Sequence, residues 1–241
     1  MVKLNKADYT KDQWRKLKEK RKIEKAEKRA AKAIKVITPR NLPSNPNDSQ
    51  TFFVLGNGLS RIPVDLNSLK QYGLVFGCNA LYREYDPDYL VAVDVKMVLE
   101  INKHKYQYKN SQVWTNPNKA YSNMSKFNFF QPSKGWSSGP TALWLASSYA
   151  PLQVFILGFD FKGTGDNFNN IYADTENYKK SHDGATFHGN WLKQTVAVIT
   201  ENPRINYVRV IAQDNFCPEE LNILNNYSTM KITDFIKIFT N

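Results

Sequence analysis

Two short runs of small and hydroxylated residues are the first places where this chain could do chemistry. Gly56-Asn57-Gly58-Leu59-Ser60 directly follows the apolar run TFFVL, and Ser137-Ser138-Gly139-Pro140-Thr141 directly precedes a helical apolar pattern. Glycines let a backbone approach a ligand closely, and the N–H groups of a turn or a helix start hold phosphate oxygens. A plain strand-to-helix turn and a Ser N-cap would use the same residue types. The first run has neither the third Gly of the dinucleotide fingerprint nor the Lys of a phosphate-binding loop. Asp94 and Asp160 each close an apolar run. A carboxylate there binds ribose hydroxyls, or a divalent ion with substrate phosphates, or serves as a cap. Two of the chain's three histidines, His182 and His188, fall in KKSHDGATFHGN. A loop imidazole titrates near neutral pH and suits a general base. No Cys or acidic pair stands at zinc spacing around them, which argues against a structural metal. His104 reads as a surface residue.

The elements needed to position these groups are legible as alternating patterns. Apolar runs at 51–55, 72–78, 87–93, 112–116, 153–159 and 206–213 read as strands, and each of the first three ends in a small or polar residue. SSGPTALWLASSYA and HGNWLKQTVAVITE read as helices, and the C-terminal stretches PEELNILNNY and TDFIKIFTN as one or two short ones. Short strands alternating with helices predict an α/β domain over 51–241, with an open, mostly parallel Rossmann-like sheet and helices on both faces. In such folds ligands sit outside the carboxyl ends of the strands, where Asn57, Asn79, Asp94 and Asp160 fall. The polar, aromatic-dotted stretch 163–180 reads as a lid, carrying Phe168, Tyr172 and Tyr178.

Taken in order, these motifs resemble the bacterial sialyltransferases that build lipooligosaccharide sialic-acid caps. The likeness covers roughly residues 52–220. It rests on Gly-Asn-Gly-x-Ser (Gly56 to Ser60), on Cys-Asn followed by an aromatic (Cys78, Asn79, Tyr82), and on Ser137-Ser138-Gly139. It continues with Gly-x-Asp-Phe (Gly158, Asp160, Phe161), a His at a helix start (His188) and a late Cys-Pro (Cys217-Pro218). The resemblance implies a GT-A-variant fold and a nucleotide-sugar donor, with no metal or other cofactor required. It implies His188 as the base that takes the acceptor hydroxyl's proton. It implies that Asn57, Asn79, Ser137, Ser138 and Gly139 hold the donor; with the residues read above, Gly56, Gly58, Ser60, Asp94, Thr141 and Asp160, they make up the expected donor site. Lys162 stands where the family has a Tyr, and its charge would stabilise a phosphate leaving group. Tyr172 or Phe168 stands near the second lid Tyr. Asp94 replaces the family's Asn, which disfavours the same anionic donor unless the carboxylate meets ribose or a metal. Mg²⁺ on Asp94, as in a pyrophosphokinase-like enzyme, is the alternative that would use a cofactor.

Charge divides the chain. Residues 1–40 carry 15 Lys/Arg against 5 Asp/Glu, a net of +10, whereas residues 41–241 carry 18 against 17, a net of +1. The first 37 residues read as a basic helical tail and 38–50, with three Pro, as a linker. A tail of that charge suits a polyanion such as DNA or RNA, bound through phosphates without base readout. It lacks the bulky apolar face of a membrane-surface helix. Neither a transmembrane span nor a secretory signal is expected, and two cysteines give no disulfide framework, so a cytoplasmic setting is expected, the host's if the chain is phage-encoded. Two function classes follow. One is a glycosyltransferase-like enzyme acting on a glycan or a modified nucleic acid. The other is a non-catalytic phage-type accessory or virion protein that reuses the fold and binds nucleic acid through its tail.

Overall fold

The computed structural model describes residues 50–110, 112–213 and 215–240, together with Thr10, Gln13, Trp14 and Arg21. The chain divides into two compact units, Met1–Arg40 and Asn41–Asn241. The expected basic tail and linker thus lie outside the described residues, apart from those four and Gln50. In the first unit Thr10 and Gln13 form a reciprocal capping box. The Thr10 N–H donates to Gln13 Oε1 (2.9 Å), the Gln13 N–H to Thr10 Oγ1 (3.3 Å), and Gln13, Trp14 and Arg21 are helical.

In the second unit, eight strands form one sheet in the order β5-β4-β3-β2-β1-β6-β7-β8, and every neighbouring pair is parallel. They are β1 (Thr51–Leu55), β2 (Leu74–Cys78), β3 (Tyr89–Val91), β4 (Val113–Thr115), β5 (Asn128–Phe129), β6 (Gln153–Leu157), β7 (Asn206–Ile211) and β8 (Tyr227–Lys231). The helices are α1 (Val95–Lys103), α2 (Ser138–Ser147), α3 (Gly189–Glu201), α4 (Glu219–Asn222) and α5 (Ile232–Phe239).

The sheet is buried on both faces, as an all-parallel sheet requires. Along β1 the side chains alternate. Phe53 and Leu55 enter one core with Met97, Val98 and Ile101 of α1 and Phe235 and Phe239 of α5. Phe52 and Val54 enter the other with Ala142, Leu143 and Ala146 of α2 and Val198 and Ile199 of α3. Phe53 pairs in register with Phe155 of β6, and their rings stack at 5.7 Å.

Two strands escaped the sequence reading. β5 has only two residues, too few to show a period. β8 falls in YSTMK, between the stretches read as short helices. As an edge strand it is largely exposed and polar, so it carries no apolar run.

Strand order reverses at β1, since β2 lies on one side of it and β6 on the other. In doubly wound sheets the crevice beyond such a reversal is where ligands bind.

Candidate functional site

A cavity of about 280 Å³ opens at that reversal. Its walls come from residues far apart in sequence: Gly56–Gly58 after β1, Cys78 and Asn79 after β2, Asp94 after β3, Ser137–Pro140 at the start of α2, and Gly158–Lys162 after β6. Asn169, Asn170 and Trp191 complete it.

Three helices begin at residues whose side chains leave the N-terminus uncapped. Asp94, Ser137 and His188 occupy the N-cap positions of α1, α2 and α3, and none makes a side-chain cap hydrogen bond. Each helix start therefore keeps first-turn N–H groups without intrahelical partners. Asp94, the Ser137–Pro140 turn and Trp191, in the first turn of α3, all line the cavity. Helix N-termini carry partial positive charge, so together they favour an anion there. Lys162 adds a full charge.

The glycine turn does different work from that expected. A side-chain carbon on Gly58 would lie 2.4 Å from an Asp160 carboxylate oxygen, and one on Gly56 2.5 Å from the Gly158 carbonyl. The glycines thus allow the β1 and β6 turns to close on each other. Four of the turn's five N–H groups are spent doing so. Gly56 donates to the Leu157 carbonyl (2.8 Å), Gly58 to the Gly158 carbonyl (2.9 Å), Leu59 to Asn169 Oδ1 (2.9 Å) and Ser60 to Asp160 Oδ2 (3.1 Å). This turn acts as a structural clasp between the ends of β1 and β6.

Asp160 belongs to the same clasp. It accepts from the Ser60 N–H, the Ser60 hydroxyl and Asn215 Nδ2 (2.9 Å), which ties the ends of β1, β6 and β7 together. Phe161, next to it, is held at φ 59° with its ring 5.0 Å from the Arg209 guanidinium. A bulky residue in the left-handed region stores on the order of 1–3 kcal/mol of strain, and such strain concentrates at functional sites.

Asn57 and Asn79 present oxygen atoms. Asn57 is only 7% exposed. Its Nδ2 donates to the Cys78 carbonyl (3.2 Å) and the Tyr178 hydroxyl (3.5 Å), which fixes the amide orientation. Asn57 Oδ1 and Asn79 Oδ1 are then buried acceptors with no partner among the described residues. Asn79 sits at φ 52°, a conformation Asn tolerates better than most residues. Asp94 is exposed at the cavity wall, and the desolvation it does undergo pushes its carboxyl above the usual range. Burial likewise pushes the Cys78 thiol up to about 12, with Arg61 opposing and Asp94 reinforcing the shift.

The other expected site residues are dispersed. Ser138 lines the cavity, but its hydroxyl accepts from the Val93 N–H (3.1 Å). Thr141 turns away and donates to the Ser137 carbonyl (2.8 Å). Tyr172, expected in the lid, is buried outside the cavity, where its hydroxyl donates to Glu84 (2.6 Å) and accepts from Arg61 (3.3 Å). His188 stands beside the cavity and is not among its lining residues. Its ring lies 5.4 Å from that of Phe216, over which Lys162 Nζ is poised at 5.8 Å. Phe216, Ser60, Asp160 and Lys162 border a second concavity of about 640 Å³, which shares Asp160, Lys162 and Asn169 with the first.

The tyrosine that does reach the strand ends is Tyr178. Its hydroxyl accepts from the Ala80 N–H (3.4 Å) as well as from Asn57. Trp191 and Asn169 were also not singled out from sequence. The uncapped start of α3 is the signal that could have pointed to Trp191. Asn169 is recognisable only by its contacts, Oδ1 to Leu59 and Nδ2 to the Lys162 carbonyl (3.1 Å).

Among the described residues no three His, Cys, Asp or Glu side chains gather as a metal site, and no helix is long and apolar enough to cross a membrane. Compared with models of known protein families, with curated proteins and with solved structures, the chain matches none of them.

Proposed function

We propose that the second unit binds a nucleotide sugar at the strand reversal and transfers its sugar to an acceptor. The observation that carries this reading is the convergence of three uncapped helix starts and Lys162 on one cavity at the end of a parallel sheet. In that reading the donor's phosphate lies against the first turn of α2 and Lys162. The bond from the anomeric carbon to the phosphate oxygen breaks, and Lys162 offsets the charge left on the nucleotide. The acceptor approaches through the second concavity, which meets the first at Asp160, Lys162 and Asn169. His188, beside Phe216 at that concavity, is the group to take the acceptor's proton.

Titration calorimetry with a panel of nucleotides and nucleotide sugars, with and without divalent metal, tests the reading. At least one should bind, and Lys162→Ala should weaken it about tenfold, or about 1.4 kcal/mol. His188→Ala should abolish turnover and leave that binding intact. A panel in which nothing binds removes the proposal. Nucleotide binding without turnover favours the second reading, a non-catalytic relative of the fold. The observation on its side is that the Tyr172 hydroxyl is spent on Glu84 and Arg61.

A further inference from the structure

The cavity is unequal in its hydrogen-bonding chemistry, and the inequality bears on which sugar it takes. Beyond β1, β2 and β3, three strands adjacent in the sheet, stand Asn57, Asn79 and Asp94. Their buried unpaired side-chain oxygens and the Asp94 carboxylate accept. Asn57 Oδ1 and Asn79 Oδ1 are buried without a partner among the described residues, and the Asp94 carboxylate does not cap α1. The amide orientation of Asn57 is not open to reversal, because its Nδ2 is held by the Cys78 carbonyl. A buried acceptor left unpaired costs about 1–3 kcal/mol. The group that belongs beside these oxygens must therefore bring hydrogen-bond donors. Apart from the start of α1 beside Asp94, the positive features lie elsewhere, in the first turn of α2 and in Lys162, which follows β6 on the other side of β1.

We infer that the β1–β2–β3 end of the cavity holds the sugar of the donor, and that this sugar is an uncharged or amino-bearing polyol and not an acidic one. Hydroxyl or ammonium groups satisfy Asn57, Asn79 and Asp94 together. A sugar carboxylate would supply no donor and would meet the like charge of Asp94 on the cavity wall, which repels it. Asp94 also disfavours an acidic sugar at pH values where its raised titration leaves it ionised. The inference rests on the proposed nucleotide-sugar reading and narrows its substrate class.

The test uses two donors that share a nucleotide and differ in the charge of the sugar. UDP-glucose and UDP-glucuronate form such a pair, as do GDP-mannose and GDP-mannuronate. For a protein that binds only cytidine nucleotides, CMP is compared with CMP–sialic acid. The full chain is titrated calorimetrically at about pH 8, well above the carboxylate range. The neutral sugar should bind at least tenfold more tightly than the acidic one, and the acidic sugar should add no affinity over the bare nucleotide. Asp94→Asn should bring the pair to within about threefold by restoring the acidic ligand. Equal or tighter binding of the acidic sugar by the unmutated protein overturns the inference. So does a preference that Asp94→Asn leaves unchanged. If no nucleotide binds at all, the underlying reading fails with it, whereas nucleotides that bind without discrimination sink the sugar assignment alone.

Discussion

Glu100 shows how one residue can hold a distant segment in place. It is buried on α1, and burial alone would raise its pKa. Hydrogen bonds from Arg83, Tyr82 and Asn177, with the Arg83 charge, outweigh that and hold the carboxyl down at about 2. Arg83 Nη2 lies 2.7 Å from Glu100 Oε2 and Asn177 Nδ2 2.6 Å from the same oxygen. A carboxyl whose folded pKa is depressed contributes stability that is fully present above its unfolded value, near 4.5, and lost as pH falls through the folded one. We expect this group to add on the order of 2 kcal/mol at neutral pH, discounted because Arg83 borders solvent. Urea unfolding of the wild type and Glu100→Gln should differ by about that much at pH 7 and converge near pH 2. A difference that persists undiminished at pH 2 would assign the effect to packing. Asn57, Asn79, Asp94 and Ser138, read from the sequence as gathering at one edge because each follows a strand or opens a helix, line one cavity. The sequence misplaced Tyr172, because the group that claims its hydroxyl, Glu84, is 88 residues away in sequence and no local pattern records that contact.

At the scale of elements, the stretch after β6 is the clearest departure from expectation. Read as a lid, it is instead pinned along its middle. Ile171 donates to the Asn57 carbonyl (2.8 Å), Arg83 donates to Thr175 Oγ1 (2.7 Å) and the Glu176 carbonyl (2.9 Å), and Tyr178 reaches Ala80 and Asn57. Composition marked the stretch as polar and aromatic, but polar loops are equally suited to swinging and to being tied down. What decides is the partner set on the 3₁₀ turn Asn79–Arg83 and on α1, supplied by other parts of the chain. Arg83 ties Thr175 and Glu176 to α1, so Arg83→Met should loosen the segment while leaving Glu100 without its counter-charge. Amide hydrogen exchange at residues 171–178 should then speed up at least tenfold, with β1 and β6 amides slowed as before relative to the loops. Equal acceleration across the sheet would mean that Arg83 supports the whole unit and not this segment. The clamp also explains why Tyr178, and not Tyr172, is the aromatic presented to the strand ends.

The whole chain joins two parts of contrasting charge. The sheet and its two cores were readable in outline, because buried parallel strands appear as continuous apolar runs. The strand order was not, since the reversal at β1 depends on where each crossover goes and no run of residues encodes that directly. Yet the reversal is what brings Gly56–Gly58, Asp94, Ser137–Pro140 and Asp160 to one place. The second unit that builds this cavity is almost neutral, with 18 basic and 17 acidic residues over 41–241, while residues 1–40 carry a net of +10. The division into compact units falls at the same place, between Arg40 and Asn41. On net charge, a polyanion is expected to meet the first unit. Binding through phosphates releases counterions, so affinity falls by about 10³–10⁵ between 50 and 200 mM salt when roughly 6–10 phosphates are contacted. The full chain should be retained on duplex DNA at low salt, with no sequence preference, and elute steeply as salt rises. The chain lacking residues 1–40 should pass through, while binding nucleotides as the full chain does. Retention of the shortened chain with an unchanged salt slope would place the polyanion surface on the α/β unit. In that case the basic residues of the tail would serve solubility alone.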